Sequence, residues 1–326
     1  KWRFILLLWL SSASIAYANA LLDELTPEQA YQQGTLLFQQ NKYTQAKPLL
    51  KYAGDNNHSA AAVMYAAMFF SNTYIQSPEE HEYVTKAAKL GNVFAMVAAS
   101  NQRALRDGDY WRAKVTPILE QQAQKKDGLA MRLLSMLIAF EDESTSFDWL
   151  IKAAEAGDPF SQHELARRYK MGDGWFVIPG NREKEIERLF KAAADSGYWQ
   201  AMRTYAYRLD KQGDVKGYQA IIDYLVEKGD AGAILGLGSD YHKINNSELS
   251  AYYYGIYINS MGSEGHGNSY DSVKFLYDQM IENLTAGQVV EIEQKVQEYL
   301  KTHTVHYQKR IKDYEYTLDS IKQAKP

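Results

Sequence analysis

The run Lys-Ala-Ala, then a glycine, then a small residue four positions on, returns throughout this chain. It is found in TKAAKLGNVFAMVAA from Thr85, in IKAAEAGDPFSQHELARRY over residues 151–169, and in FKAAADSGYWQAMRTYAY from Phe190. Aligned near the end of each alanine-rich segment, the pattern falls at Lys51, Lys86, Gln121, Lys152, Lys191 and Asp223, at intervals of about 35, 35, 31, 39 and 32 residues. That period is the length of two helices of about a dozen residues with two short connections. The glycine, at Gly91, Gly157, Gly197 and Gly229, can enter the left-handed conformation that closes a helix; Asn56 and Asp127 take the glycine place in the first and third units. The following residue, Asn92, Asp158 or Asp230, caps the next helix. Ala95, Ser161, Ala201 and Ala233 fall where helices approach closely, and Leu165, Tyr169, Tyr205 and Leu209 fill the next layer. One helix pair cannot bury its apolar face alone. Stacked pairs can, so the repeat predicts an all-α solenoid rather than a single bundle.

The punctuation elsewhere is also helical. Thr26-Pro27-Glu28-Gln29, Ser77-Pro78-Glu79-Glu80, Asp158-Pro159 and Thr285-Ala286-Gly287-Gln288 each read as a helix start. Alternating β-branched runs joined by tight turns are missing. After the glycine-rich MGSEGHGNS at 261–269, an apolar stripe runs through Val289, Ile292, Val296, Leu300, His303, Tyr307, Ile311, Tyr314, Leu318 and Ile321. It predicts one helical stripe with a break near Thr302–Thr304, either folded back as a cap on the array or projecting towards a partner.

Residues 1–20 read as a secretory signal, with an uncleaved anchor as the alternative: Lys1 and Arg3, an apolar run Phe4–Leu10, and Ala18-Asn19-Ala20 as the cleavage site. The domain reading is therefore signal 1–20, repeats 21–262 and a helical cap 263–326. The net charge of −4 becomes −6 without the signal's two cations (34 − 40). No basic stripe accompanies it, which argues against a nucleic-acid partner. With no cysteine, the chain has neither disulfides nor a site for a lipid anchor. The expectation is an exported, soluble periplasmic protein with no stable membrane insertion once the signal is removed.

Tyr169-Lys-Met-Gly172-Asp-Gly174, followed by Asn181, Leu189-Phe190-Lys191-Ala192-Ala193, Gly197 and Ala201, resembles the unit of the Sel1-like repeats, relatives of the tetratricopeptide repeat. The match is most specific over 145–210 and weaker from about Lys42 to Tyr241. The chain departs from the pattern at Trp175-Phe-Val-Ile-Pro179-Gly180, a longer loop than the family's turn, and its N-terminal units and the 110–140 unit lack Gly-x-Gly. The resemblance implies a right-handed α/α solenoid of about six helix-turn-helix repeats with a helical cap. It also implies an adaptor that binds another protein. Exported members resemble immunity proteins that neutralise secreted antibacterial phospholipase effectors, and the signal fits that subgroup. A general envelope scaffold and a cell-wall hydrolase are the alternatives.

No constellation in the sequence reads as catalytic, and no cofactor is implied. Gly262-Ser-Glu-Gly265-His-Gly267 lacks the strand before it and the Gly-Lys-Ser/Thr end of a phosphate loop. His303 and His306 have no further ligands at useful spacing, and His163-Glu164 lacks the second histidine of a metalloprotease helix. What remains is surface. Trp175 and Phe176 sit in the enlarged loop, and Tyr198 and Trp199 open the helix after the next glycine. His163 and Arg203 occupy one equivalent place in successive units, with Val97; Arg167 and Tyr207 occupy another, with Asn101. These eight residues, Trp175, Phe176, His163, Arg167, Tyr198, Trp199, Arg203 and Tyr207, are the candidate partner contacts.

Overall fold

The computed structural model describes residues 24–69, 77–101, 107–264 and 269–308. Sixteen α-helices lie among them. The first eight are α1 (Pro27–Gln39), α2 (Tyr43–Asp55), α3 (Ser59–Ala67), α4 (Pro78–Lys89), α5 (Val93–Ser100), α6 (Gly108–Gln124), α7 (Gly128–Ile138) and α8 (Glu143–Glu155). They continue with α9 (Pro159–Met171), α10 (Asn181–Asp195), α11 (Trp199–Lys211), α12 (Val215–Glu227), α13 (Ala231–Lys243), α14 (Ser247–Ser260), α15 (Ser269–Glu282) and α16 (Ala286–Thr302). The signal stretch 1–20, the Gly265-His-Gly267 part of the glycine-rich loop, and Ile311, Tyr314, Leu318 and Ile321 of the apolar stripe lie outside the described residues.

The helix starts form as their caps dictate. Thr26 and Thr285 each close a reciprocal capping box with a glutamine three residues on. Ser77, Asn92, Asp158 and Asp230 accept backbone N–H groups of the first turns of α4, α5, α9 and α13. Gly91, Gly157, Gly197 and Gly229 all have φ between 77° and 90°. In the first and third units the left-handed residues are Asn57 and Lys126, one position away from the expected Asn56 and Asp127. The difference has a plain cause. Asp127 is the cap itself, its Oδ1 accepting from Leu129 and Ala130 N–H, so the left-handed turn falls on the residue before it.

From α1 to α15 each helix packs on its neighbours in sequence, while α16 packs on α14; α1 also touches α3, and α5 touches α7. Ala95, Ser161, Ala201 and Ala233 are buried at those close approaches. The apolar core runs along the array as a chain of clusters, not as one central mass. This is an α/α solenoid of helical repeats.

The array curves until its ends touch. Gly262 N–H donates to the Gln40 carbonyl at 2.7 Å. The Glu264 carboxylate accepts from both the backbone N–H and the hydroxyl of Thr44 at 2.7 Å. Helix α16 lies against α14 and ends at Thr302. The predicted break is present: His303 has φ −119° and ψ 135°, and residues 303–308 are not helical. His303 caps α16 through its N–H to the Tyr299 carbonyl, and Tyr307 leaves the stripe with a backbone paired to Gln39.

Candidate partner-binding site

The enlarged loop after α9 is built to hold a shape. Gly172, Gly174 and Gly180 have positive φ. A Cβ on Gly174 would lie 2.7 Å from the Tyr169 ring, so only glycine lets the chain pass over that side chain. From α10, Arg182 reaches back and donates to the carbonyls of Tyr169, Asp173 and Gly174. Arg168 Nε donates to the Asp173 carboxylate at 2.6 Å. Phe176 packs edge-on against Tyr169, ring centroids 4.9 Å apart, with the Arg182 guanidinium 4.7 Å from its ring centroid. Burial raises the Tyr169 pKa. Phe176 is therefore the hydrophobic peg of the loop.

What the peg holds up is apolar and uncovered. Trp175 is 89% exposed, Val177 79%, Ile178 61%, and Met171 at the end of α9 62%. Arg167, paired with Glu164 at 2.6 Å, sits one turn before Met171 and donates to its sulfur. A large indole left in water on a restrained backbone has little conformational entropy left to lose on binding.

The other candidates divide. Tyr207 is exposed beside Lys211. Tyr198, Trp199 and His163 are buried, and Arg203 is partly so. Their equivalence in sequence has a structural reason that sequence reading missed. The residue five after a helix cap meets the cap of the next unit. Arg132 Nε lies 3.1 Å from the Asp158 carboxylate, His163 faces the Tyr198 ring at 5.7 Å, and Arg203 donates to Asp230. In these three units the side chain is arginine where the next cap is aspartate and histidine where it is tyrosine; Val97, five after Asn92 and before the Asp127 cap, departs from that pairing. Arg132 and Asp158 are both deeply buried, with the guanidinium 4.6 Å from the Phe160 ring centroid. Removing one member of such a pair costs about 3–5 kcal/mol. Comparing the two positions across units, cap and cap plus five, is the sequence signal that would have found this coupling.

Trp199 has a second neighbour. Its backbone N–H donates to Gln308 Oε1 at 3.0 Å, and the His306 ring lies 5.0 Å from its indole. Segment 303–308 threads between the end of α1 and the α12–α13 junction. His306 N–H donates to the Gly229 carbonyl and Ala231 N–H to the His306 carbonyl, both at 3.0 Å. On the other side Tyr307 N–H donates to Gln39 at 3.2 Å, and Gln40 Nε2 to the Val305 carbonyl at 2.8 Å. Val305 has no exposed surface. Burial holds the His306 pKa below the usual imidazole value and raises that of the Tyr307 phenol.

The two histidines of the strap go different ways. His303 stacks on Tyr299 at 4.1 Å, while His306 packs on Trp199. Among the described residues no group of three or more His, Cys, Asp or Glu side chains is placed to hold a metal ion, and no helix is long and apolar enough to cross a membrane.

No family model and no curated protein matches this chain. Among solved structures it is similar to a protective antigen of uropathogenic Escherichia coli displaying an SLR fold, at 16% identity and a TM-score of 0.46. That match covers 88% of this chain and 63% of the antigen, so the chain spans less than two thirds of that protein. It is also similar to a Sel1 repeat protein from Oxalobacter formigenes, at 16% identity and a TM-score of 0.42, over 88% of this chain and 87% of the other.

Proposed function

We propose that this chain is a non-catalytic protein-binding scaffold of the Sel1-like kind, and that the 171–178 loop leads its contact with another protein. The observation that carries this reading is the Trp175 side chain, 89% exposed on a loop pinned from beneath by Arg182 and Phe176. Trp175 is the anchor and Arg167 and Tyr207 extend the contact, while Phe176 supports it from beneath. His163, Tyr198, Trp199 and Arg203 stand deeper and hold successive repeats in register behind it.

In its specific form the reading is an exported immunity protein whose partner is a secreted antibacterial phospholipase-type effector met in the periplasm. The segment at 1–20 and the resemblance of the 145–210 repeat support that form. The test is capture of partners from a periplasmic extract by the unsubstituted chain and by Trp175→Ala. A buried tryptophan anchor is worth about 2 kcal/mol or more, so affinity falls about thirtyfold. Equal capture by both proteins removes the loop from the interface. Co-production with an effector of that class tests the specific form: growth is rescued by the unsubstituted chain and not by the variant.

A further inference from the structure

We infer that residues 303–308 are a displaceable occupant of an acceptor slot for extended peptides, and that a partner segment entering the slot carries an aliphatic residue followed two positions later by an aromatic one. The inference rests on the protein-binding reading for the existence of a natural partner, but the slot itself is defined by this chain alone.

The slot has two edges, one wholly of backbone and one that joins the Gln39 carbonyl to the Gln40 side-chain amide. Gly229 to Ala231 form one, Gln39 and Gln40 the other, and the strap pairs with both at once. Such pairing uses main-chain N–H and C=O groups that every peptide possesses, so it gives affinity without fixing sequence. Selectivity comes from the alternate side chains of an extended segment. Val305 fills a fully closed pocket, and two positions on the Tyr307 hydroxyl meets that of Tyr257 at 3.3 Å. His306, on the opposite face, covers Trp199. The slot is also shaped to admit a backbone. At Gly229, φ is +77° and a Cβ would lie 2.3 Å from the Thr304 carbonyl oxygen, so any side chain there would shut the slot.

The strap's hold is confined to a few groups: the buried Val305, the partly buried Tyr307 and His306 rings, and a handful of hydrogen bonds, one of them from Trp199 N–H to Gln308, oppose the conformational freedom of six residues. The helices on either side each bury several side chains of their own, so they do not depend on the strap for their existence. When it leaves, Trp199 and the Arg203–Asp230 pair lie open along the vacated edge, which would bring these sequence-selected residues within reach of a partner.

The experiment uses the full chain and a fluorescein-labelled peptide of the sequence THTVHYQK, read by fluorescence anisotropy. The unsubstituted chain should bind it weakly, because its own strap competes at high effective concentration. Val305→Asp, which weakens the strap in place, should bind at least tenfold more tightly. Adding Gly229→Val to that variant should abolish binding while helical circular dichroism is retained. Equal affinity for the unsubstituted chain and Val305→Asp overturns the proposal, as does binding that survives Gly229→Val. Loss of helical structure in Val305→Asp also overturns it, since the strap would then be part of the fold. Independently, native-state hydrogen exchange on the unsubstituted chain should show the His306 and Tyr307 amides exchanging at least tenfold faster than α11 core amides; equal protection overturns displaceability. No natural partner enters these measurements, so an unchanged Trp175→Ala capture leaves their outcome untouched.

Discussion

Two irregular stretches of this molecule carry aromatic and aliphatic side chains, and they are resolved in opposite ways. The loop at 171–180 turns Trp175, Val177 and Ile178 outward, while the segment at 303–308 turns Val305 and Tyr307 inward. The loop is fixed by neighbours in sequence: Tyr169, Asp173 and Gly174 are held by Arg182, nine residues or fewer from the last two. The strap is fixed by residues as remote as Gln39 and Gln40. A locally anchored loop can spare its apolar residues for another molecule, because nothing in the fold depends on them. A segment that joins remote parts of an array has its apolar residues committed already. Exposure of an aromatic therefore means something different at each place.

The largest effect that would sharpen this contrast is at the strap's floor. Gly229→Val both forces a β-branched residue into φ +77° and drives its side chain into the Thr304 carbonyl. A loss of about 3 kcal/mol is expected, measured by urea unfolding. Next comes Val305→Ala, which empties a closed pocket at a cost of about 2 kcal/mol by the same measurement. A cost near zero would show that the pocket collapses freely and that the strap is not committed.

Acid should act on the strap and spare the loop. The docked state favours neutral His306, because burial lowers its pKa despite the nearby Asp230 carboxylate, itself paired with Arg203. A group whose folded pKa is depressed in this cationic sense gives docking stability that is whole above the ordinary imidazole value of 6.5 and declines as pH falls below it. Tyr307 amide exchange, corrected for its intrinsic pH dependence, should accelerate between about pH 7.5 and 5.5, and His306→Gln should abolish the change.

The loop's own effects are smaller on stability. Gly174→Ala meets both a positive φ and the Tyr169 ring, and should cost about 1 kcal/mol. Trp175→Ala should change stability by less than about 0.5 kcal/mol while weakening partner capture. A drop of about 2 kcal/mol on Trp175→Ala would break the comparison, because the indole would then belong to the core.

Much of the architecture was legible because its causes are short-range. A glycine that must be left-handed, an aspartate or asparagine that caps, and a small residue four positions on are decided within one turn of chain, as at Gly157, Asp158 and Ser161. The same holds for the loop, where three glycines and an aromatic pair announce an excursion. The site was legible only in part. The sequence singles out His163, Tyr198, Trp199 and Arg203 as partner contacts, but the meeting of His163 with Tyr198 and of Arg203 with Asp230 joins consecutive units some thirty residues apart, and Trp199 meets the strap, distances that no local pattern displays. His303 and Tyr307 fit the helical stripe by spacing, and nothing in that spacing reveals that the backbone beyond Thr302 finds better partners elsewhere.

The sequence by itself determined the helices, their caps, their period and the need to stack, because each hairpin exposes an apolar face that only a neighbour can cover. The tertiary structure alone decided that the stack bends until Gly262 and Glu264 reach the first hairpin, and that residues 303–308 lie extended between the end of α1 and the α12–α13 junction. Small tilts between successive pairs accumulate along the array, and only their sum places Gln39 and Gly229 on either side of one strand's width of space.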